Sequence, residues 1–413
     1  MKGAITFDKK TIRDIDVSGK RVFLRADLNV PLDDGRITDD TRIRGSLPTI
    51  VNLLERDAIV ILASHLGRPK GKVSDALRLK PVADRLSQLL GRPVRMTGDA
   101  LGPGVQVAVD KLRPGDLLML ENLRFHAAEE ENDPAFAESL AGLADIYVND
   151  AFGSAHRAHA STEGITHHLP AVAGLLLERE VTALGKLLYR PPRPFHAVIG
   201  GAKVSGKLEV LEAFLSRCQA ILVGGGMANT FLAAKGLEMG KSLVEDEQLG
   251  NAERIMAEAR RKRVRLMLPT DVVIAPQIHH RAQKRVVPVG DVPKDQMVVD
   301  IGPNTVMAYT EHLAKARTIF WNGPMGVFEI ASFADGTNAI ARFVAGRTAE
   351  GVITIVGGGD SVAAVEKLHL ASKMTHVSTG GGASLEFVEG KALPGVEALL
   401  DANAPLPGEE DAP

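Results

Sequence analysis

The strongest constraint in this sequence is a recurring unit: a short apolar run, then a loop, then a stretch with helical spacing. The clearest runs lie at residues 59–63, 117–120, 221–223, 318–321 and 352–356. Runs this short suit strands buried on both faces, as in a parallel sheet. Helical stretches such as 208–217, 251–262 and 337–344 fall between them. Strand and helix in alternation predict βαβ units and an α/β fold. No fixed-period repeat is visible.

A length of 413 residues predicts two or three domains, each able to bury its own core without staples. A single cysteine, Cys218, excludes an internal disulfide and fits a reducing, cytoplasmic compartment. The formal net charge of −2 argues against bulk nucleic-acid binding, which needs a strong basic field, so any anion site has to be local. The segments Phe7-Asp8-Lys9-Lys10 and Asp14-Ile15-Asp16 are too charged for a secretory signal. No apolar run reaches the roughly 18 residues of a spanning helix, so no membrane span is expected.

The two halves differ in the loops that leave their strands. In the first half these loops carry arginine and histidine: Ser64-His65-Leu66-Gly67-Arg68, Glu121-Asn122-Leu123-Arg124 and Ala155-His156-Arg157. The second half uses glycine: Gly200-Gly201, Gly224-Gly225-Gly226, Gly357-Gly358-Gly359 and Gly380-Gly381-Gly382. Ligands of open α/β sheets sit at the carboxyl ends of strands, so the halves are expected to hold different ligands. The boundary is expected within 178–194, where a helical stretch stops at Pro191-Pro192-Arg193-Pro194. The Ala-, Pro-, Gly- and acid-rich tail from Asp401 is expected to fray.

In the first half, residues 21–30 alternate apolar and mostly polar positions, which as a strand would set Arg25, Asp27 and Asn29 on one face. That face either binds a hydroxyl and an anion or is the wet side of an edge strand. His65 and Arg68 come directly after one apolar run, Arg124 after another, and Arg157 after residues 145–149. Arg42 sits just inside a helix start after Asp39-Asp40. A lone arginine usually makes a surface ion pair. Several strand-end arginines in one half fit a ligand carrying both phosphate and carboxylate, because a guanidinium donates two parallel hydrogen bonds. His156 and His159 read as local packing or hydrogen-bonding residues.

In the second half, Gly201 to Lys207 has the spacing of a phosphate-binding P-loop, but Leu208 stands where such a loop needs Ser or Thr for Mg²⁺. Lys203 and Lys207 near a helix start still suit phosphate, since the helix dipole disfavours cations there without an anion partner. Gly225, opening a helix after a strand, permits close approach of a bulky ligand. Gly357, Gly358, Gly359, Asp360 and Ser361 supply exposed N–H groups, a helix start and a carboxylate, a combination suited to phosphates with Mg²⁺. Asp360 also fits a simple N-cap, and Glu329 is either a ribose contact or solvated.

Taken in order, Arg25-Ala26-Asp27-Leu28-Asn29-Val30-Pro31 and the segments 64–69, 121–125, 150–161, 200–204, 224–228, 321–329, 357–361 and 378–385 resemble the phosphoglycerate kinase family over nearly the whole chain. The resemblance implies two doubly wound parallel-sheet domains of similar size joined by a hinge helix. They would span 1–178, with 395–413 packing back on it, and 179–394. It implies a monomeric cytoplasmic enzyme of glycolysis and gluconeogenesis, interconverting 1,3-bisphosphoglycerate plus ADP with 3-phosphoglycerate plus ATP with the help of Mg²⁺. Arg25, Asp27, Asn29, Arg42, His65, Arg68, Arg124 and Arg157 would serve the glycerate. Gly201, Lys207, Gly225, Glu329 and residues 357–361 would serve the nucleotide, with Asp360 toward the metal. Arg42, Lys203 and Lys207 would act on the transferring phosphoryl group. Two residues depart from the family pattern: Gly206 stands where Asp is expected, which puts the turn before Lys207 in question, and Asn304, after Gly302-Pro303, replaces an expected charged residue. The acceptor is a carboxylate, already ionised at pH 7, so no general base is required. The rival readings are a P-loop hydrolase and a non-catalytic sensor of a phosphorylated metabolite.

Overall fold

The apolar runs assemble two six-stranded, all-parallel sheets, each in its own compact unit. The structure, a computed structural model, describes residues 7–406. One unit comprises Met1–Thr182 with Ala392–Pro413, the other Ala183–Lys391, and the boundary falls inside the helix Leu175–Leu188. The part of the acidic tail at 407–413 lies outside the described residues. Its first residue is not frayed: the Lys9 ammonium donates to the Asp401 carboxylate at 2.7 Å, and the Lys10 N–H donates to the Leu400 carbonyl at 2.8 Å.

In the first sheet the strands lie in the order Arg95–Met96, Leu117–Met119, Ile59–Ala63, Arg21–Ala26, Ile146–Asp150, Ala171–Ala173. The chain enters at the middle, builds one flank, and returns to build the other. The switch point is therefore the carboxyl end of Arg21–Ala26, where a crevice opens in such sheets. This strand is central, buried on both faces and paired in parallel with neighbours on either side. The edge-strand alternative for 21–30 is thus overturned. The strand also ends at Ala26, so Asp27 and Asn29 belong to the next loop rather than to a shared strand face.

The second sheet repeats the plan in the order Arg265–Met267, Ala220–Val223, Phe195–Ile199, Thr318–Asn322, Ile353–Gly357, His376–Val377. Its switch point lies between Phe195–Ile199 and Thr318–Asn322, so the loops at 200–207 and 323–329 leave from it. An antiparallel sheet of Asp271–Ala275, Arg285–Pro288 and Met297–Ile301 adds to this unit, a feature that the apolar runs and loops of the sequence do not foretell.

Apolar side chains from the strands and covering helices fill each unit: Val22, Leu24, Ile50, Leu53 and Val148 in the first, Val198, Leu222, Ile319, Trp321 and Val344 in the second. Burial of this kind supplies the main drive for folding. Among the described residues no helix is long and apolar enough to cross a membrane.

Candidate active site

Three loops meet at the carboxyl edge of the first sheet, and side-chain amides and hydroxyls latch them together. Ser64 Oγ accepts from the Leu28 N–H at 2.9 Å, and Asn29 Oδ1 accepts from the Gly67 N–H at 2.8 Å. Fully buried Asn122 accepts from the N–H groups of Leu66 and Arg124 and donates to the carbonyls of Leu66 and Leu77. Loops that would otherwise be mobile are thereby held rigid, which a binding constellation needs.

Within this frame the basic side chains divide by exposure. Arg25 is wholly buried. Its Nε donates to Ser161 Oγ at 2.8 Å, one terminal nitrogen to the Ala26 carbonyl at 2.5 Å, and the other to His65 Nδ1 at 3.1 Å. Glu129, also buried, lies 4.0 Å from the guanidinium and accepts from the Ser161 hydroxyl and N–H. Arg25 therefore lies behind the cluster, and the expectation that it touches a ligand directly is corrected: its reach runs through His65. A guanidinium has only donors, so His65 Nδ1 must accept, which requires a neutral ring with its proton on Nε2. Burial, reinforced by Arg25, Arg124 and Arg42 against the opposing pull of Asp27, holds the His65 pKa well below its usual value.

Arg42 donates to Asp27 Oδ1 at 2.7 Å. Burial alone would raise the Asp27 pKa, but Arg42 and Arg25 overcome it and keep the carboxyl ionised, below the usual carboxylate range. Gly153 lies against this pair: a Cβ there would stand 2.2 Å from Asp27 Oδ2. Arg124 is nearly buried, donates to the Gly67 carbonyl at 2.9 Å, and has Glu130 at 3.3 Å. Half-buried Arg157 donates to His156 Nε2 at 3.1 Å. Arg68 is exposed and has no hydrogen-bond or ion-pair partner among the described residues. Burial, with Arg124, Arg25 and Arg157 adding to it, drives the His159 pKa down to about 3. A group of cations that depress one another's protonation is an anion site in electrostatic terms.

The second unit builds its site differently. Three helices start at the carboxyl edge of its sheet: Gly226–Ala234, Gly359–Lys367 and Gly382–Glu389. None has a side-chain cap; backbone carbonyls take the Met227 and Ala383 N–H groups of the first and third, while the Gly359, Asp360 and Ser361 N–H groups of the second have no partner among the described residues and remain available to an anion. A cavity of about 300 Å³ is lined by Lys203, Lys207, Asn322, Asp360 and the starts of the latter two helices. Burial lowers the Lys207 pKa to about 8, with Asp360 and Glu389 pulling the other way, and its ammonium donates to Asn322 Oδ1. The Asn322 amide is itself anchored, donating to the Gly357 carbonyl at 2.7 Å. Ser361 Oγ accepts from the Gly323 N–H at 2.5 Å, tying a helix start to the loop after Thr318–Asn322.

A second cavity of about 250 Å³ adjoins the first, sharing Gly201, Ala202 and Asp360. Its walls are largely apolar (Leu243, Ile278, Val299, Met325 and Val327), with Asn229, Asp300, Glu329 and Asp360 as polar groups. Gly225 borders it at φ +68°, and a Cβ there would lie 2.6 Å from the Gly201 carbonyl oxygen. Only glycine meets both conditions. An apolar slot beside a ring of N–H donors and lysines suits a flat base joined to a polyphosphate.

Asp360 is exposed in the first turn of its helix, without a hydrogen-bond or ion-pair partner among the described residues. Those residues contain no group of three or more His, Cys, Asp or Glu side chains able to hold a metal. A single free carboxylate beside the lysine-lined cavity fits Mg²⁺, which commonly binds through one or two carboxylates plus substrate phosphates.

Several working residues went unread in the sequence. Glu129, Ser161 and Asn122 hold the arginine cluster, and Glu245 holds the lysine loop. Glu129, Ser161 and Glu245 lie far along the chain from the groups they support, Asn122 reaches Leu66 56 positions away as well as its neighbour Arg124, and none belongs to a periodic pattern.

A family model described as phosphoglycerate kinase matches residues 12–391. A phosphoglycerate kinase of Moorella thermoacetica is 58% identical over 393 residues, covering 95% of this chain and 99% of its own. One from Chloroflexus aurantiacus is 58% identical over 398 residues, covering 96% and 100%. Among solved structures, phosphoglycerate kinase from Coxiella burnetii superposes with a TM-score of 0.83 at 43% identity, covering 94% of this chain and 98% of its own. That from Pyrococcus horikoshii gives 0.85 at 35% identity, with the same coverage.

Proposed function

The chain belongs to the phosphoglycerate kinase family, with that family's ATP-dependent, carboxyl-acceptor kinase activity in glycolysis, and we propose how its residues divide the work. The first unit binds 3-phosphoglycerate or 1,3-bisphosphoglycerate. Asp27 and Asn29 take its hydroxyl region, His65 donates from Nε2, and Arg42, Arg68, Arg124 and Arg157 take phosphate and carboxylate. Arg25 positions His65. The second unit binds ADP or ATP. The base enters the apolar slot near Gly225, Glu329 meets the ribose, and the phosphates lie on Lys207, Gly201 and the helix start at 357–361. Asp360 would hold Mg²⁺ together with phosphate oxygens, and the ion would neutralise phosphate charge.

One observation carries this reading: an arginine-histidine cluster and a set of open helix starts occupy different units, each at the switch point of its own sheet. Two separately held anions suit direct handover. The chain need only align an ionised carboxylate with the terminal phosphoryl and neutralise charge through Arg42, Lys203 and Lys207. The helix Leu175–Leu188, which contains the unit boundary, is the hinge for that alignment. The working form is a cytoplasmic monomer. A coupled assay tests the assignment: ATP consumption must depend on 3-phosphoglycerate. Hydrolysis of ATP independent of 3-phosphoglycerate would favour the P-loop reading, and binding without turnover the sensor reading.

A further inference from the structure

We propose that Glu245 is a positioning residue for the transfer step, setting the loop that carries Lys203; this rests on the role given to Lys203 in phosphoryl transfer. The loop runs between two glycines. Gly201 has φ +111°, and Gly206 has nothing within 4 Å of where a Cβ would be. Such flanks leave the backbone free to adopt many conformations. Among the described residues, one side chain bonds the backbone between them. Glu245 Oε2 accepts from the Val204 N–H at 2.5 Å and the Ser205 N–H at 3.1 Å, while Oε1 accepts from the Ser205 hydroxyl at 2.6 Å.

This carboxylate fills the place a phosphate would take in a loop of P-loop spacing: two successive N–H groups and a hydroxyl beside a helix start. The near-match at Gly201 to Lys207 is therefore occupied from within the chain. The loop serves as a mount for Lys203, which projects from it exposed and without a partner among the described residues.

Glu245 is fixed in turn. Its N–H donates to the hydroxyl of buried Thr230 at 3.1 Å, and the neighbouring Asn229 amide donates to the Leu243 carbonyl at 3.3 Å. Thr230 and Asn229 lie on the helix that begins at Gly226, and Asn229 lines the apolar slot. The wall of the slot and the mount of Lys203 are thus one hydrogen-bonded piece. Glu245 itself lines neither cavity and acts on Lys203 through the loop backbone, so losing it costs alignment more than affinity.

Steady-state kinetics with 3-phosphoglycerate and ATP test this. Glu245→Ala is expected to lower kcat by about 10²-fold, as for a misplaced reacting group, with both KM values within about threefold of the parent. Glu245→Gln is expected to recover most of that loss, because its amide oxygen accepts the two N–H groups and the Ser205 hydroxyl can turn to accept from the amide. ADP binding by calorimetry shows whether each variant is folded, and Ser205→Ala, which removes one of the three bonds, is expected to fall between parent and Glu245→Ala. An unchanged kcat in Glu245→Ala overturns the proposal, as does a kcat loss matched by an equal loss of ADP affinity. A parent chain without 3-phosphoglycerate-dependent turnover would instead sink the underlying functional reading.

Discussion

Lys207 should make nucleotide capture fall at a pH where an ordinary lysine would not yet titrate. Its pKa is lowered from 10.5 to about 8 by burial, opposed by Asp360 and Glu389. A phosphate-binding lysine must be protonated, and for a pKa near 8 the charged fraction of the free protein drops about tenfold between pH 7 and pH 9. kcat/KM for ATP, which reports on the free protein, should fall by a similar factor over that range. kcat should stay nearly flat, because bound phosphate restores the favourable charge that burial removed. Lys207→Arg should abolish the fall, since a guanidinium stays charged. Stability should move the opposite way. The folded state binds fewer protons than the unfolded state between about pH 8 and 10.5, so this group's contribution rises with pH across that window. After discounting for partial exposure, the gain is about 2–3 kcal/mol. The assay is a pH series of initial rates in a constant-ionic-strength buffer, paired with urea melts of the ligand-free protein. A kcat/KM profile that is flat to pH 10 would refute the placement of Lys207 against phosphate, as would a Lys207→Arg variant that keeps the decline.

Arg42→Ala should lose about 3 kcal/mol of transition-state stabilisation, roughly 10²-fold in kcat/KM, because it removes a preorganised cation and strips Asp27 of its partner. Asp150 is buried, and burial raises its pKa to about 7 against the N–H groups of Leu176 and Leu177. Its folded form holds a proton that the unfolded form releases from about pH 4 upward, so its contribution to stability falls as pH rises to about 7. Asp150→Asn should remove that slope, worth about 3 kcal/mol between melts at pH 4.5 and 7.5. Gly225→Ala should cost about 1–3 kcal/mol through its positive φ and the clash with Gly201. In a calorimeter it should weaken ADP while leaving 3-phosphoglycerate binding unchanged.

The sheets were legible because a strand buried on both faces is built almost wholly of apolar residues, as Ile59–Ala63 and Ala220–Val223 are. The glycine loops were legible because helix starts that meet phosphate cannot carry bulk. Arg25 was harder. Alternation around it reads equally as a wet strand face, and the residues that make its burial tolerable, Glu129 and Ser161, stand more than a hundred positions away with no local signature. Glu245 escaped for the same reason, since acidic residues are common on surfaces and only folding brings it to Val204. The antiparallel sheet went unread because its short valine-rich runs show β-propensity but not partner or direction.

Hydrogen exchange with one ligand at a time tests the division of labour most directly. The account predicts that 3-phosphoglycerate alone slows exchange in the loops at 27–30, 64–68, 122–126 and 152–159. ADP with Mg²⁺ should slow it at 200–207, 225–229, 322–329 and 357–361. Protection of the same unit by both ligands would contradict it.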